Sequence, residues 1–290
     1  EDGFGNKSIQ TSGYGYIGIN AGKVPDLAIR QVIMHSINTQ ECVNYYKTTA
    51  TAIHRSMSMS SWAYPKGATP YYPYIVPEDL SVVNPAYASY VRSLGKKAGD
   101  KLTSAEQETF IRNQVEGAGY TLNANGVYYK GNHILKYTFT IAGDETDHPA
   151  WQALFHASEI LNNVGFQINV SPDSQALTKL ASGDLTVWAA AWGSTIDPDM
   201  YQVYHKDSNA TSVLTWGYKQ ILLNTGGKYD TEVALINRLS DLIVERVKKI
   251  NKINVQQFIH KHLILLCNLQ LNFLHINVMT YSHIILIKLM

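Results

Sequence analysis

Between residues 136 and 191 the sequence alternates between a two-residue and a 3.6-residue hydrophobic period. This pattern constrains the fold more than any other feature. Apolar side chains alternate at Tyr137, Phe139 and Ile141, as in a strand. Two helical segments, each ended by a glycine, and two further strands follow, in the order helix 147–164, strand 166–170, helix 174–182 and strand 186–191. Elements of these lengths in this order predict an α/β fold whose strands 136–142, 166–170 and 186–191 are parallel in one sheet.

Helix signals before this unit extend the α/β pattern toward the amino terminus. Asp26 precedes a helix with apolar residues at Ile29, Val32, Ile33 and Ile37, and its side chain is expected to cap that helix.

A further helix is predicted to open with a capping box, Ser104-Ala-Glu-Gln107, and to end at Gly119. Asn123-Ala-Asn-Gly126 predicts a turn between two short strands. Segment 58–90 is rich in Pro, Ser and Tyr and has no sustained period, which predicts a long surface excursion of the kind that often carries function.

Composition excludes several classes of function. The chain has 290 residues, a net charge of +1 and no basic stretch, so nucleic acid is not an expected partner. Its two cysteines, Cys42 and Cys267, form no metal-binding or disulfide pattern. GxSxG, HExxH and Walker motifs are absent, and Asp144, Asp147 and His148 are better explained by a cap and a turn than by a metal. We therefore expect no catalytic residue, no metal and no cofactor.

The last segment, 247–290, differs in composition from the rest of the chain. It contains no Gly, Pro, Ala, Asp, Glu, Arg or Trp and is crowded with Ile, Leu, Asn, Lys and His. We interpret it as a non-native, out-of-frame tail that is helical at most. The alternative is a membrane segment at 263–287, which would place six Asn, Gln and His side chains in hydrocarbon at a large cost.

The strongest candidate for a binding site follows the third predicted parallel strand. The run Trp188-Ala-Ala-Ala-Trp192 ends in Gly-Ser-Thr195, and Asp197-Pro198 then reads as a helix start. In open α/β sheets the ligand crevice lies beyond the carboxyl ends of the strands, where Trp192 falls. Nothing there resembles a nucleophile with its base, so this segment indicates recognition rather than catalysis.

Six motifs in colinear order, from about Gly13 to Glu245, resemble the extracellular solute-binding proteins of oligopeptide and dipeptide ABC transporters, family 5. The matching segments are Tyr14-Gly-Tyr16-Ile-Gly-Ile-Asn20, Ile29-Arg30-Gln31-Val32-Ile33 with Ser36-Ile37-Asn38, Gly117-Ala-Gly-Tyr120, Leu161-Asn-Asn-Val-Gly165-Phe-Gln-Ile-Asn-Val170, Leu180-Ala-Ser-Gly183-Asp184, and Ala191-Trp192 with Asp197-Pro198. Each motif is weak alone, but the shared order is fairly specific.

The resemblance implies a periplasmic-binding-protein-like fold with two lobes of the class II type, of which mostly the second lobe is present. It divides the chain into an inter-lobe crossover at 1–23, the α/β second lobe at 24–192, a return segment at 193–246 and the tail. It implies a truncated binding component that captures a peptide or similar solute outside the cell, at the membrane face or in the periplasm. ABC permease subunits would be its partners. Contact with the membrane would come only through the permease and an anchor missing from this sequence.

The candidate ligand-binding residues each have a structural alternative. The candidates are Trp192, Asp197, Thr195, Tyr14, Tyr16, Asn20, Trp62 and Tyr64. Asp197 is also a good N-cap, and Trp192 a possible core aromatic. Tyr14 and Tyr16 can simply pack in their strand, while Asn20 is suited to fixing a turn.

The resemblance also shows one departure. Many peptide binders of this family place an Asp three residues after the motif Trp, where it meets the peptide amine, and that position here is Thr195. A lost charge-assisted hydrogen bond costs about 1.5–3 kcal/mol, so the ligand either lacks an amine there or uses Asp197.

The runner-up function is an extracellular carbohydrate-active hydrolase, suggested by many Tyr and Trp residues and scattered acids. It would need two carboxylates facing each other across a cleft, one of them with a strongly shifted pKa. An aromatic cleft without such a pair favours the receptor.

Overall fold

The structure is a computed structural model that describes residues 13–47, 49–53, 57–64, 75–143, 147–192, 200–209, 212–247 and 272–278. The helices are α1 (Leu27–Ser36), α2 (Gln40–Tyr45), α3 (Pro85–Ser93), α4 (Ser104–Gly117), α5 (Trp151–Val164), α6 (Ala176–Ser182), α7 (Tyr201–Tyr204), α8 (Ser212–Thr215), α9 (Tyr218–Leu223) and α10 (Asp230–Val247). Short 3₁₀ turns lie at Leu80–Val82 and Thr225–Gly227. The strands are β1 (Tyr14–Ile19), β2 (Ala50–Ile53), β3 (Thr121–Leu122), β4 (Tyr128–Lys130), β5 (His133–Ile134), β6 (Lys136–Ala142), β7 (Gln167–Asp173), β8 (Val187–Trp192) and β9 (Asn272–Val278).

Six strands form one sheet in the order β2-β9-β1-β8-β6-β7. β6 pairs in parallel with both β7 and β8, so the parallel unit predicted from the sequence is confirmed. The observed strands at 167–173 and 187–192 start one residue later than predicted, and the first extends three residues further. β1 closes on β8 in antiparallel fashion and pairs on its other side with β9.

One face of the sheet carries a core that is mostly aliphatic, with five Tyr and Phe rings among its buried residues. Helices α1, α4 and α5 pack there, as the 3.6-residue periods predict. Ile17 and Ile19 of β1 and Phe139 and Ile141 of β6 point into this core and are buried. We call this side the aliphatic face.

The opposite face carries a core rich in tyrosine and tryptophan. Side chains of β1 and β8 that alternate with the aliphatic set, among them Tyr14, Tyr16 and Trp188, meet residues of α6, α7, α9 and α10. Residues 57–64 of the predicted excursion also reach this core, through Met57 and Ala63. We call this side the aromatic face.

A buried ion pair joins the helices of the two faces. Arg30 of α1 is fully buried and donates from Nη2 to Glu232 Oε1 of α10 at 2.8 Å, and from Nη1 to the carbonyls of Val24 and Pro25. Burial lowers the pKa of Arg30, while Glu232 counteracts that shift. A guanidinium with this many acceptors remains the natural charged partner of a buried carboxylate.

Two predicted helix starts need correction. The capping box of α4 lies one residue earlier than predicted: Thr103 Oγ1 accepts from Glu106 N and Glu106 Oε2 accepts from Thr103 N. Asp26 occupies the N-cap position of α1, but its carboxylate caps nothing. It accepts instead from the Tyr120 hydroxyl at 2.6 Å. At Asp26 the hydrogen bond from the distant Tyr120 hydroxyl therefore takes the place of a local cap.

Asp147 does not cap α5 either. The helix begins at Trp151, four residues after the predicted start, and Asp147 Oδ1 accepts from the Tyr45 hydroxyl at 3.1 Å. The other half of the proposed acidic pair, Asp144, lies outside the described residues. The turn at Asn123–Gly126 is confirmed: Asn123 Oδ1 accepts from the backbone N–H of Asn125 and of Val127. It joins β3 and β4 of a small three-stranded sheet.

Part of the unusual last segment is described. Residues 272–278 form β9 between β1 and β2, so the expectation that the segment is helical at most is wrong for this stretch. Whether 247–290 belongs to the native protein, and the other domain bounds, stay predictions. Among the described helices, none combines the length and the apolar composition needed to cross a bilayer.

Candidate functional site

The carboxyl ends of the three parallel strands define one edge of the large sheet. β6 ends at Ala142, β7 at Asp173 and β8 at Trp192. The antiparallel register sets Tyr14, the first residue of β1, opposite Trp192. We call this line of positions the carboxyl edge. It is the edge at which α/β sheets bind ligands.

On the aromatic face, a cluster of five aromatic side chains extends from this edge toward the start of β8. We call it the aromatic cluster: Tyr14, Tyr16, Trp188, Tyr204 and Trp216. Tyr14 lies at the edge, whereas Trp188 is opposite Gly18 and the Trp216 carbonyl accepts from Ala21 N at 3.1 Å. Trp216 is its centre. The Tyr204 ring stacks on it at 5.8 Å and 16°, and the Trp188 ring lies 5.4 Å from it. All five residues are buried, so the cluster forms a rigid wall inside the aromatic face.

Hydrogen bonds hold the polar tips of these rings. Trp188 Nε1 donates to the Tyr16 hydroxyl at 3.3 Å, and Trp216 Nε1 donates to the Val203 carbonyl at 3.0 Å. Burial raises the pKa of Tyr16 and of Tyr14, whose hydroxyl also bonds to that of Tyr204. These tyrosines are therefore neutral near pH 7 and act as hydrogen-bonding groups rather than charges.

Gly18 makes room for the cluster. A Cβ at this position would lie 2.5 Å from Trp188 Cζ2 and 3.0 Å from Trp216 Cζ3. Only a glycine lets both indoles lie flat against β1. Within the first strand motif, Gly18 therefore serves packing, a role that the sequence alone did not reveal.

A partly exposed ring that stacks on a buried imidazole lies next to the cluster. Tyr201, at the start of α7, is 39% exposed and stacks on His205 at 4.2 Å and 18°. His205 Nδ1 accepts from Asp207 N at 3.0 Å, and burial lowers the pKa of the imidazole. The stack is thus an uncharged aromatic surface near pH 7, at the point where the chain returns from the carboxyl edge.

The structure brings some of the predicted site residues together. Tyr14 and Tyr16 are both in the aromatic cluster, and Tyr64 packs against the same core. Trp62 lies in the same loop and is 37% exposed. Trp192 contributes its backbone to the end of β8, opposite Tyr14. Thr195 and Asp197 lie outside the described residues.

Asn20 is separated from this group. It follows Ile19, which pairs with Val187 at the start of β8, so six residues of extended chain, about 20 Å, separate it from Tyr14. Its side chain is buried, accepts from Gly22 N at 2.9 Å and donates to the Gly183 carbonyl at 3.1 Å. This geometry matches the turn-fixing alternative, and ligand contact by Asn20 stays a prediction without geometric support.

Three residues of the cluster, Trp188, Tyr204 and Trp216, were not among the site residues predicted from the sequence. Tyr204 lies on the short α7 and Trp216 between α8 and α9, both after the last parallel strand. Their contacts with β1 span about two hundred residues, and no local period marks them. The single available signal was the aromatic density of the run that begins at Trp188.

Among the described residues, no carboxyl group that lines a cleft with a second carboxylate has a raised pKa, which the hydrolase alternative would need. The carboxyl groups whose pKa shifts are Asp79, Glu106 and Asp173, and each pKa is lowered by hydrogen-bond donors. A general acid needs the opposite shift. In the same part of the chain, no three His, Cys, Asp or Glu side chains converge closely enough to hold a metal ion. Nothing in the described geometry therefore favours the hydrolase alternative.

No family model and no curated protein sequence matches the chain. Solved structures do match, with 14% identity in each of three cases. The oligopeptide-binding protein AppA of Bacillus subtilis, in complex with a nonapeptide, matches with a TM-score of 0.64 over 96% of this chain and 48% of that one. NikZ of Campylobacter jejuni, in complex with Ni(L-His), gives 0.60 over 96% and 49%. The ABC transporter-associated periplasmic binding protein DppA of Helicobacter pylori, in complex with a tetrapeptide, gives 0.58 over 96% and 45%.

The chain has the fold of the family 5 peptide- and nickel-binding proteins. It spans about half the length of these solved structures. The fold class predicted from the motifs is confirmed, and the large sheet with its carboxyl edge belongs to the solute-binding fold.

Proposed function

We propose that this protein is the binding component of an ABC importer, which captures a peptide or similar small solute outside the cell and delivers it to the permease. The fold is the observation that carries the proposal. Structures that share it are described as complexes with a nonapeptide, a tetrapeptide and Ni(L-His). One of the matching proteins is described as periplasmic, in line with capture outside the cytoplasm.

The geometry of the carboxyl edge supports binding rather than chemistry. A ligand site needs an apolar wall with a few fixed polar groups, and the aromatic cluster, which reaches the edge at Tyr14, supplies such a wall. Its buried rings and neutral hydroxyls give a surface whose shape is set before a ligand arrives. Preorganisation of this kind reduces the entropy lost on binding.

The proposed contacts follow from position along the chain. Trp192 ends the strand that leads to the edge, and Thr195 and Asp197 follow it. Tyr14 and Tyr16 form the wall behind, and Trp62 and Tyr64 lie on the loop that packs on the same face. In a two-lobe protein the solute would stabilise the closed form, and the permease would respond to that form.

Calorimetry with di- to nonapeptides and with a nickel–histidine complex tests this function. The titrations use the product of the complete gene, and the 290-residue chain is titrated in parallel. We expect saturable binding of at least one solute class, weakened about ten-fold to a hundred-fold by Trp192→Ala. Phe155→Ala, which removes an exposed ring on the opposite side of the sheet, is the matched control and should leave affinity within two-fold of wild type, roughly the scatter of such measurements.

A second variant tests the missing carboxylate. Thr195→Asp should strengthen the binding of peptides with a free amine and leave N-acetylated peptides unchanged, because only the former gain a charged partner. If no solute in the panel binds saturably, the proposed function is contradicted. If a solute binds equally well to wild type and to Trp192→Ala, the proposed site is contradicted.

A further inference from the structure

A cavity lies between the end of α2 and the first turns of α5, on the aliphatic face. Its volume is about 430 Å³, and the polar and aromatic residues that line it include Glu41, Tyr45, Asp147, His148, Trp151 and His156. We call it the α2–α5 pocket. Because α5 follows the carboxyl end of β6, the pocket opens at the same end of the sheet as the carboxyl edge, but it lies on the side away from the aromatic cluster.

The permanently charged groups in the described lining of the pocket are acidic. Two carboxylates, Glu41 and Asp147, line it, and the described lining residues include no Lys or Arg. His148 adds no positive charge near pH 7, because its Nδ1 accepts from Ala150 N at 3.1 Å and burial lowers its pKa. His156 bonds through Nδ1 to Glu41 Oε2 at 2.9 Å, and Asn38 Nδ2 donates to Glu41 Oε1 at 3.3 Å. Each oxygen of that carboxylate thus has one partner and can accept a further hydrogen bond from a ligand. A ligand with a positive charge therefore matches this pocket and an anion does not.

Aromatic rings form the rest of the wall. Tyr45 is 44% exposed, and its hydroxyl donates to Asp147 Oδ1 at 3.1 Å, which fixes the orientation of that carboxylate. Trp151 stacks against Phe155 at 6.3 Å and 16°, which fixes the orientation of the indole. Ring faces attract organic cations through the ring quadrupole, and Trp does so most strongly. The pocket thus combines two oriented carboxylates with two oriented rings.

We propose that the α2–α5 pocket binds a small organic cation, through a guanidinium or ammonium group held between the carboxylates of Glu41 and Asp147 and the rings of Tyr45 and Trp151. A guanidinium is planar and donates in a fork, which suits both a carboxylate and a ring face. A neutral sugar, which can also stack on an indole, would not need the two charges. The proposal stands on this pocket alone and does not depend on solute capture at the carboxyl edge.

Agmatine, which carries a guanidinium and an ammonium group, is the probe. Titration into the chain, followed by calorimetry and by amide NMR shifts, should show saturable binding with the largest shifts at residues 41–45 and 147–156. Asp147→Asn and Glu41→Gln keep the shape of each side chain and should each weaken binding at least about ten-fold. Glu78→Gln removes an exposed carboxylate outside the pocket and should leave binding within two-fold, apart from the loss of one unit of overall charge.

Glucose at equal concentration separates the two ligand classes and should produce no shifts in these residues. Equal weakening by all three variants would show that agmatine senses only net charge and would overturn the proposal. Preferential binding of glucose, or no agmatine binding at millimolar concentration, would overturn it as well. If Asp147→Asn fails to fold, Tyr45→Phe provides the same test, because it removes the hydroxyl that orients Asp147 and should weaken agmatine binding a few-fold. Peptide binding at the carboxyl edge is measured separately, so failure here leaves the proposed function intact.

Discussion

The two faces of the large sheet are built in different ways. The aliphatic face packs mainly Ile, Val, Leu and Phe side chains against helices of 10 to 14 residues, each lying close in sequence to the strands it covers. The aromatic face packs Tyr and Trp rings under the 18-residue α10 and under short helices and loops, all from distant parts of the chain. The polar tips of those rings are bonded to one another or to backbone carbonyls. The first face is a scaffold, and the second combines a core with a wall for the carboxyl edge.

The difference shows where this fold can vary. Aliphatic packing tolerates exchange of one apolar side chain for another of similar volume. A ring cluster with bonded tips and a required glycine at Gly18 fixes a shape, and a change in one member is felt by the others. We infer that the aromatic face sets the form of the wall below the ligand, while the aliphatic face only supports it.

The largest expected effect is loss of the ring at the centre of the aromatic face. Trp216→Ala should lower the free energy of unfolding by about 3–5 kcal/mol, since the side chain is fully buried and three rings rest on it. Phe139→Ala on the aliphatic face is the matched control, with a similar loss. Hydrogen exchange separates them: Trp216→Ala should speed exchange in 201–223, and Phe139→Ala in α5. If both variants open the same segments, the two faces are a single cooperative core.

The buried ion pair that joins the faces comes next. Arg30→Met should cost about 3 kcal/mol, because Glu232 is left without its partner in a buried position. The double variant Arg30→Met with Glu232→Leu should recover most of that loss, since it removes both charges. Denaturant titrations of the two single variants and the double variant measure the coupling. Purely additive losses would show that the pair does not link α1 to α10.

A smaller effect is expected at the far end of β1. Asn20→Ala removes two side-chain hydrogen bonds, to Gly22 and Gly183, and should cost about 2 kcal/mol. Solute affinity should stay unchanged, because Asn20 is about 20 Å along the strand from Tyr14. Thermal melting and the peptide calorimetry described above check the two halves of this prediction. A loss of solute affinity without a loss of stability would show that Asn20 contacts the solute.

The smallest effect concerns the start of α4 on the aliphatic face. Thr103→Ala should cost about 1 kcal/mol, because Thr103 is the residue whose hydroxyl caps the helix. Ser104→Ala, at the position that the sequence pattern favoured, should change stability by less than about 0.5 kcal/mol, as an exposed residue with no cap contact. Equal losses of stability in the two variants would show that Ser104 contributes to the cap, as the sequence predicted.

Sequence patterns predicted the aliphatic face well and the aromatic face poorly, for a physical reason. Periods in α1, α4 and α5 and the alternation in β6 to β8 arise from local geometry, so they can be read from neighbouring residues. The partners of Tyr14 and Tyr16 lie near residues 188, 204 and 216, and no local pattern encodes such pairings. The strand-end position of Trp192 was predictable because parallel strands end at a common edge.

The errors at Asp26 and Asp147 share one cause. A carboxylate near a helix start can accept from the backbone or from a more distant donor, and the sequence does not show the donor. Tyr120 and Tyr45 supply such donors here, with hydroxyl to carboxylate distances of 2.6 and 3.1 Å. The β9 strand was missed because the composition of its segment hid the alternation of a strand.

The central claim is that solute binds at the carboxyl edge, against the wall formed by the aromatic face. Hydrogen exchange of the complete gene product, with and without a saturating peptide or nickel–histidine ligand, tests it most directly. We predict slower exchange at 190–192 and 200–205 on ligand addition, with no change at 20–26 and 128–136, which lie toward the opposite edge. Protection confined to 20–26 and 128–136, or spread evenly over the sheet, would contradict the account.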